Sequence, residues 1–329
     1  MQNNVMPQRA AIIGAGTMGL GIAECFALAG KDVVLIDASP ELSELALKRL
    51  AHRVRAHVDA GLLEPSALDR TAAVKTAKDL ATAVADADLV LEAVPENIDI
   101  KREVLSACDR GAPLEAIIAT NTSSLPMDEL AAFVNRDERF LGMHWFNPPE
   151  WTPAVEIIPS SRTDVGVVKR LREFLLAIGK RPAAVGSAPG FVANRIQFAL
   201  FREAIACVAE GLATPAELDE LVRGSFGFRL PFYGPFQIAD MAGLDVYSNI
   251  FGVLERGLGE QWQPPELLRT VVDAGRHGVK SFAGFYEYSE EERDKMLLER
   301  DRRYAALNQL LAELPPQTFA PRGTADDQD

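Results

Sequence analysis

Cysteine is scarce in this sequence, and its few positions exclude two kinds of site. Only three cysteines occur among 329 residues, Cys25, Cys108 and Cys207, and they lie far apart. Thiolate metal sites use closely spaced pairs such as Cys-x-x-Cys, and disulfide-stabilised domains use many cysteines. We therefore expect neither a metal site nor a disulfide framework, and we interpret the three thiols as small buried apolar side chains.

Long apolar runs and an excess of positive charge are also absent. No segment approaches the ~18 apolar residues that a membrane-spanning helix needs. The opening MQNNVMPQRA lacks the basic and apolar parts of a secretory signal. Lys and Arg number 34 against 47 Asp and Glu, a formal charge of -13 that disfavours nucleic acid and anionic membranes. We expect a cytoplasmic protein with no nucleic-acid or membrane partner.

Short apolar runs alternate with amphipathic segments in the first part of the chain. Five runs are too short for helices and are candidate strands: AAII (10–13), DVVLID (32–37), DLVLEAV (88–94), AIIAT (116–120) and RFLGM (139–143). Four intervening segments are candidate helices, near 17–29, 40–60, 98–109 and 126–134. Apolar strands joined by helices are typical of a sheet that is buried on both faces. The pattern predicts a doubly wound α/β domain with a largely parallel sheet.

The periodicity becomes helical after GSAPG (186–190). The run FVANRIQFALFREAIACVAEG is amphipathic and ends at Gly211, and the stretch 290–314 is rich in Glu, Arg and Leu. The last residues, PPQTFAPRGTADDQD, have little apolar surface to bury. We predict an α/β domain at 1–187, an all-α C-terminal domain at 188–316, and a disordered tail at 317–329.

A glycine motif follows the first predicted strand. Gly14, Gly16 and Gly19 form GxGxxG at a strand-to-helix turn. The first glycine permits the tight turn, the second lets a pyrophosphate approach the backbone, and the third lets the helix pack closely. The next residues, Thr17 and Met18, begin the helix, whose free N–H groups face the phosphates. The motif predicts a Rossmann-type dinucleotide site.

Asp37 ends the second predicted strand, 23 residues after Gly14. That offset is close to the ~20 residues expected for the acid that binds the adenosine ribose hydroxyls. A carboxylate there repels a 2′-phosphate, and the following Ala38, Ser39 and Pro40 supply no arginine. NAD is therefore predicted rather than NADP. The alternative interpretation is that the glycines serve only a turn and Asp37 only a helix cap.

His144 lies where the last predicted strand ends, in GMHWFNPP, and Glu156 lies in the next apolar run, PAVEII. An acid among apolar residues requires a partner. An imidazole that removes an alcohol proton becomes positively charged, and a neighbouring carboxylate stabilises that charge and fixes the tautomer. The two residues predict a general-base dyad. Alone, His144 could be a structural histidine and Glu156 a solvated edge-strand acid.

Several motifs in one order resemble the L-3-hydroxyacyl-CoA dehydrogenases, including the short-chain 3-hydroxybutyryl-CoA enzymes. The resemblance runs from Arg9 to Tyr288 through GAGTMG, EAVPENIDIK, NTSSL, GMHWFNPP, PAVEII, APGFVANR, YGPFQIADMAGLD and GFYEY. It implies NAD as cofactor, a His144–Glu156 dyad, and Ser123 and Asn194 as groups that hold the substrate oxygen. Without the resemblance, Ser123 would be a loop or N-cap serine and Asn194 a polar residue in a helix.

The resemblance also extends the cofactor site and implies an assembly. It adds four residues as cofactor contacts: Glu96, Lys101, Asn147 and Lys280. Without it, Lys101 would be a solvated helix residue and Lys280 a surface-loop residue. It further implies a helical C-terminal domain that forms a homodimer.

Two local features differ from the acyl-CoA enzymes. Bulky or acidic residues follow the histidine, and they would reshape an acyl pocket: Trp145, Glu150, Trp151 and Pro153. Arg53 and Ala60 stand where the family has a serine and a lysine for the CoA phosphates. The same helix carries a basic stripe that could bind CoA or an acyl carrier protein, or could simply be solvated: Lys48, Arg49, His52, Arg53 and Arg55.

These residues predict an enzyme of fatty acid metabolism that acts on a small molecule. We prefer NAD-dependent oxidation of the 3-hydroxyl of an L-3-hydroxyacyl-CoA, or the reverse reduction. GMHW, VPENI and the long C-terminal helix are also similar to a branch that oxidises pyridine-ring carboxylic acids. The alternative is therefore a dehydrogenase of a free small hydroxy acid or a pyridine-carboxylate aldehyde. A non-catalytic NAD-binding protein is a third possibility, which the four predicted catalytic residues disfavour.

Overall fold

A computed structural model describes residues 6–314 of the chain, and the predicted tail at 317–329 lies outside them. The chain divides into two compact units, one ending at Leu200 and one beginning at Phe201. The predicted domain limits at 187 and 188 stay a prediction. Within residues 6–314, no helix is long and apolar enough to cross a membrane.

The first unit is built on one seven-stranded sheet with the strand order β2-β1-β3-β4-β5-β6-β7. Neighbouring strands from β2 to β5 pair in parallel, whereas β6 is antiparallel to β5 and β7 is parallel to β6. The sheet is thus mixed but mostly parallel. Its strands are β1 (Arg9–Ile13), β2 (Asp32–Ile36), β3 (Leu89–Glu92), β4 (Ile117–Thr120), β5 (Phe140–Trp145), β6 (Ala154–Pro159) and β7 (Arg181–Ala184).

Helices cover both faces of this sheet. Alternate residues of β1 show it, because Ala10 and Ile12 pack in one core cluster while Ala11 and Ile13 pack in another. The apolar runs of the sequence are continuous because the central strands are buried on both faces. The helices are α1 (Thr17–Leu28), α2 (Pro40–Asp59), α3 (Ser66–Ala72), α4 (Leu80–Val84), α5 (Ile98–Gly111), α6 (Met127–Ala131) and α7 (Val165–Ala177).

The topology brings the predicted cofactor and catalytic residues to one edge of the sheet. β1 pairs with β2 on one side and with β3 on the other, so the chain order reverses at β1. Ligands of doubly wound sheets bind at this reversal, outside the carboxyl ends of the strands. The loops after β1 to β4 leave from that edge, where β5 ends and the antiparallel β6 begins. This places the glycine loop and the His144–Glu156 region at the same edge.

The second unit is helical. Helix α8 (Ala193–Ala209) contains the division between the units. A small core is formed by Ala239, Leu244 and Leu268, packed with Tyr247, Phe251 and Phe285. The remaining helices are α9 (Pro215–Gly224), α10 (Phe226–Arg229), α11 (Pro235–Ala242), α12 (Leu244–Leu258), α13 (Glu266–Asp273) and α14 (Glu290–Glu313). The predicted change from strands to helices is confirmed.

Candidate active site

The loop after β1 has the geometry that a dinucleotide phosphate needs. Gly14 has a φ of +104°, and a side chain there would meet the carbonyl oxygen of Ala93 at 2.5 Å. A side chain at Gly19 would overlap the carbonyl of Gly14, so α1 packs tightly on the loop. Apart from its chain neighbours, no described residue comes within 4 Å of a Cβ position at Gly16. Open space thus faces the glycine at which a pyrophosphate would approach.

A cleft of about 830 Å³ adjoins this loop. Its walls include Thr17 and Met18, the segment 37–40 after β2, and the segment 93–95 after β3. One oxygen of Asp37 accepts from the Ala15 N–H and the other from the Ala38 N–H, both at 2.7 Å. The carboxylate is therefore fixed at the end of β2, where it would accept the ribose hydroxyls. The loop, the cleft and Asp37 together fit NAD.

His144 and Glu156 face each other across β5 and β6. They are direct register partners, and His144 Nδ1 lies 2.8 Å from Glu156 Oε2. Both residues are only 5% exposed. The rings of Phe146 and Phe191 lie 4.6 and 5.6 Å from the imidazole, centroid to centroid. Because Nδ1 is bonded to the carboxylate, Nε2 is the nitrogen left to face a substrate.

The second oxygen of Glu156 organises the start of α8. Oε1 accepts from the N–H groups of Val192 at 3.1 Å and Ala193 at 2.9 Å. Burial by itself would raise the pKa of Glu156, but the His144 ring and the two amides outweigh it and hold the pKa below the ordinary 4.5. Glu156 is therefore a carboxylate at neutral pH, able to stabilise an imidazolium.

Ser123 and Asn194, predicted from the resemblance, are joined to each other. Ser123 lies in the turn after β4, and its carbonyl oxygen accepts from Asn194 Nδ2 at 3.5 Å. Asn194 is the second residue of α8, whose preceding amides bond to Glu156. A continuous path thus runs from His144 through Glu156 and the start of α8 to Asn194 and Ser123. The structure brings all four predicted catalytic residues together.

Glu96 and Lys101, predicted to contact the cofactor, belong to a buried ion-pair network. Lys101 Nζ lies 2.7 Å from Glu92 Oε1 and 3.3 Å from Glu96 Oε2. Lys101 is 1% exposed and Glu92 is fully buried. The second oxygen of Glu92 accepts from the Thr120 hydroxyl at 2.5 Å. The contact of Glu96 and Lys101 with a cofactor stays a prediction.

The two other predicted cofactor residues lie in different units. Asn147 is exposed, follows β5, and is joined to Pro148 by a cis peptide bond. Lys280 lies in the second unit, in the 3-10 turn Val279–Ser281, and its ammonium is 2.5 Å from Asp245 Oδ1. Their roles toward the cofactor stay predictions.

Arg53 does not stand free on the basic stripe of α2. Its Nε donates to Glu24 Oε2 at 2.8 Å, and its NH1 lies 3.7 Å from Glu150 Oε1. His57 Nδ1 lies 3.7 Å from the other oxygen of Glu24, and the His57 ring packs edge-to-face with that of Trp151, 5.4 Å between centroids. We call Glu24, Arg53, His57 and Glu150 the α1–α2 cluster. The other basic residues of the stripe are exposed: Lys48, Arg49, His52 and Arg55.

Sequence reasoning missed several polar residues that shape this region. Glu92 and Thr120 are buried in the ion-pair network, and Asn121 Oδ1 accepts from the Trp145 N–H at 2.9 Å. A signal for Glu92 was present, since it is an acid within the apolar run DLVLEAV and so requires a partner. Glu24 carries the same signal in AECFAL of α1.

Comparison with known families decides the membership of this chain. Residues 9–188 match the family described as "3-hydroxyacyl-CoA dehydrogenase, NAD binding domain", and residues 190–288 match "3-hydroxyacyl-CoA dehydrogenase, C-terminal domain". The chain belongs to the 3-hydroxyacyl-CoA dehydrogenase family. The predicted family, fold class and NAD cofactor are thereby confirmed. This family member is an NAD-dependent dehydrogenase.

The relatives of this dehydrogenase are named for different substrates. A "5-formyl-3-hydroxy-2-methylpyridine 4-carboxylate 5-dehydrogenase" of Mesorhizobium japonicum is 36% identical, over 93% of this chain and 99% of that protein. A "Probable 3-hydroxybutyryl-CoA dehydrogenase" of Bacillus subtilis is 38% identical, over 85% and 97%. A crystal structure of a 5-formyl-3-hydroxy-2-methylpyridine 4-carboxylic acid 5-dehydrogenase, described as an NAD+-dependent dismutase, has a TM-score of 0.70, is 36% identical, and covers 93% and 99%.

Proposed function

We propose that this enzyme oxidises the 3-hydroxyl of an L-3-hydroxyacyl-CoA with NAD, or reduces the corresponding 3-ketoacyl-CoA. The observation that carries the proposal is the buried hydrogen bond of 2.8 Å between His144 and Glu156, at the edge of the sheet that holds the glycine loop. A base beside a dinucleotide site is what alcohol oxidation requires, because the substrate must lose a proton and a hydride together.

The protein residues handle the proton and the substrate oxygen. NAD, when bound, supplies the hydride acceptor. His144 Nε2 takes the hydroxyl proton, and Glu156 stabilises the imidazolium that results. The Ser123 hydroxyl and the Asn194 amide donate hydrogen bonds to the substrate oxygen, on which negative charge develops as its proton moves to His144. That charge becomes the C=O bond as the hydride leaves the carbon. In the reduction, His144 returns the proton to that oxygen.

We assign the cofactor contacts to the residues that the sequence predicts for them. Asp37 binds the adenosine ribose, and the glycine turn binds the pyrophosphate. The full set is Gly14, Gly16, Thr17, Met18, Gly19, Asp37, Glu96, Lys101, Asn147 and Lys280. The homodimer, the cytoplasmic compartment and the domain limits 1–187 and 188–316 belong to the same proposal.

A free acid or aldehyde is a second candidate substrate, on two observations. The relative named for a pyridine carboxylate matches 93% of this chain, against 85% for the relative named for 3-hydroxybutyryl-CoA. Arg53, on the face where CoA phosphates would be expected, is engaged by Glu24 and Glu150. A hydrated aldehyde presents the same H–C–O–H unit as an alcohol, so the same dyad would serve.

NADH formation with a panel of substrates tests the proposal. The panel compares 3-hydroxybutyryl-CoA with free 3-hydroxybutyrate, gulonate, carnitine and the formylpyridine carboxylate, with an enzyme-free blank and His144→Ala as the test variant. We expect the highest kcat/KM with the CoA ester. A higher value with a free acid or the aldehyde would favour the second candidate. Turnover that persists in His144→Ala with every substrate would contradict the dyad.

A further inference from the structure

The turn that carries Ser123 is anchored on one carboxylate oxygen. Glu96 Oε1 accepts from the Ser123 N–H at 3.0 Å, from the Ser124 hydroxyl at 3.1 Å, and from the Thr122 hydroxyl. Charge-assisted hydrogen bonds of this kind are stronger than neutral ones. Since three donors of consecutive residues converge on one atom, the position of that atom sets the conformation of the turn 122–124.

The other oxygen of Glu96 is fixed from the protein interior. Oε2 lies 3.3 Å from Lys101 Nζ, which also lies 2.7 Å from Glu92 and 3.4 Å from the Val94 carbonyl oxygen. Glu92 ends β3 and bonds to Thr120, which ends β4. A buried ammonium keeps its charge only when it is paired and hydrogen-bonded. Lys101 therefore ties Glu96 to the ends of two central strands.

The charge of Glu96 is needed for this arrangement. Burial alone would raise its pKa, but the Thr122 hydroxyl, the charge of Lys101 and the Ser123 amide hold the pKa below the ordinary 4.5. Glu92 by itself would neutralise Lys101, so the second carboxylate is not required for charge balance. It is required as an acceptor for the turn.

We propose that Glu96 is a positioning residue for Ser123, held in place by the buried Lys101–Glu92 pair. Glu96 holds the Ser123 N–H and Asn194 holds the Ser123 carbonyl oxygen, so the backbone of Ser123 is clamped on both sides. The clamp fixes the direction of the Ser123 Cα–Cβ bond, from which the hydroxyl reaches the substrate oxygen in the proposed function. The inference rests on the proposed function, in which Ser123 binds the substrate oxygen. It gives Glu96 a role that is separate from its predicted cofactor contact.

Two variants of the full-length enzyme and one control test this role. Glu96→Gln keeps the shape and removes the charge. The double variant Glu92→Gln/Lys101→Met removes the pair without leaving a lone charge buried. Lys169→Met, on an α7 lysine that is 70% exposed, is the matched loss of a surface charge. Three quantities are measured: kcat, the Kd of NAD, and hydrogen exchange of the peptide spanning 121–126 without cofactor.

We expect Glu96→Gln to lower kcat by about 10²-fold, the scale of a misplacement near 1 Å at a reacting group. Exchange at 121–126 should rise, and exchange elsewhere should stay unchanged. Because Glu96 and Lys101 are also proposed cofactor contacts, the Kd of NAD should rise too, but kcat is measured at saturating NAD and its loss should remain there. The double variant should show the same pattern, and Lys169→Met should show none of it. Unchanged exchange at 121–126, or a rise in the Kd of NAD that accounts for the whole loss, would overturn the proposal.

A double-mutant cycle with Ser123→Ala separates this inference from the proposed function. If Glu96 acts through Ser123, the kcat penalty of Glu96→Gln should largely vanish in the Ser123→Ala background. A full penalty in both backgrounds would overturn the inference while leaving Ser123 its role. If Ser123→Ala keeps wild-type turnover, the proposed function loses its serine, and the exchange measurement alone still decides whether Glu96 holds the turn.

Discussion

Two histidines of the first unit lie beside a buried glutamate, but only one of these pairs is a hydrogen bond. His144 Nδ1 is 2.8 Å from Glu156, whereas His57 Nδ1 is 3.7 Å from Glu24. Glu156 is 5% exposed and Glu24 is 1% exposed, so burial does not distinguish them. The difference lies in the donors that each carboxylate receives.

Glu156 is satisfied on both oxygens, and Glu24 is not. The His144 ring and two amides hold the pKa of Glu156 below 4.5. Glu24 bonds to Arg53 through Oε2, while among residues 6–314 its Oε1 has no hydrogen-bond partner. Burial outweighs Arg53 and raises the pKa of Glu24 above 4.5. In our proposal the His144–Glu156 pair transfers the proton because the carboxylate is hydrogen-bonded to the ring, whereas Glu24 is engaged by Arg53 and lies too far from His57 for a hydrogen bond.

The α1–α2 cluster connects three segments of the first unit. Through Glu150 it joins two helices to the segment between β5 and β6. The same segment is held by Lys180, whose ammonium donates to the carbonyl oxygens of Pro149 at 2.6 Å and Thr152 at 3.1 Å. The cluster thus anchors the segment that follows the dyad strand, whereas the dyad itself contacts the substrate in our proposal.

Replacing each histidine by alanine gives the largest contrast between the two pairs. His144→Ala should lower kcat by about 10²- to 10⁴-fold, because it removes the general base. His57→Ala is the matched control and should change kcat by less than about threefold, since it transfers no proton in the reaction. Steady-state kinetics at saturating NAD measure both. Comparable losses in the two variants would contradict the distinction drawn between the pairs.

Changing each glutamate to glutamine tests the acids in the same way. Glu156→Gln keeps the shape but removes the charge that stabilises the imidazolium, so kcat should fall by at least about 10²-fold. Its penalty should not add to that of His144→Ala, because the two residues act as one unit. Glu24→Gln should leave kcat nearly unchanged. Additive penalties for His144 and Glu156 would make Glu156 a structural acid.

The central strands of the sheet were predictable because each is marked by a short pattern within its own sequence. Apolar runs of four to seven residues bounded by turn residues mark central strands, and GxGxxG with Asp37 marks the cofactor edge. Strands β6 and β7 were not among the five predicted strands, although PAVEII of β6 was recognised as an apolar run. The short strand β7 (Arg181–Ala184) is largely exposed and contains a proline, so it carries no apolar-run signal. The His144–Glu156 pair followed from asking what partner a buried acid requires.

The other contacts of the site could be identified only from the folded structure. Glu92 and Glu24 are also acids within apolar runs, but the sequence does not name their partners, and no rule of spacing links Glu92 to Lys101, nine residues later. The hydrogen bonds of Glu156 to the amides of Val192 and Ala193 join a strand to the start of α8, 36 and 37 residues away. Arg53 was predicted from its helix face as part of a solvated or CoA-binding stripe, and its partners on α1 and after β5 became visible only in the folded chain.

Removing Arg53 tests whether it serves the fold. Arg53→Met leaves Glu24 buried without its cation, so the free energy of unfolding should fall by about 2 kcal/mol, less than for a fully buried pair. Arg55→Met, on the same helix and exposed, is the matched control and should stay within about 0.5 kcal/mol. The Tm of both variants measures this. Equal Tm values would show that Arg53 is as dispensable as its exposed neighbour.

The smallest effect is a difference of sign in the pH dependence of stability. The folded pKa of Glu156 is lowered, so its contribution to stability is present above pH 4.5 and is lost as the pH falls below that value. The folded pKa of Glu24 is raised, so its contribution is present below pH 4.5 and is lost as the pH rises above it. The Tm of wild type minus that of Glu156→Gln should therefore increase with pH, and the same difference for Glu24→Gln should decrease. Thermal unfolding of the three proteins between about pH 3.5 and 7 spans both windows, around the reference pKa values of carboxyl groups. If both Tm differences changed with pH in the same direction, folding would shift the pKa of the two glutamates in the same direction. The two pairs would then differ only in the distance between histidine and glutamate.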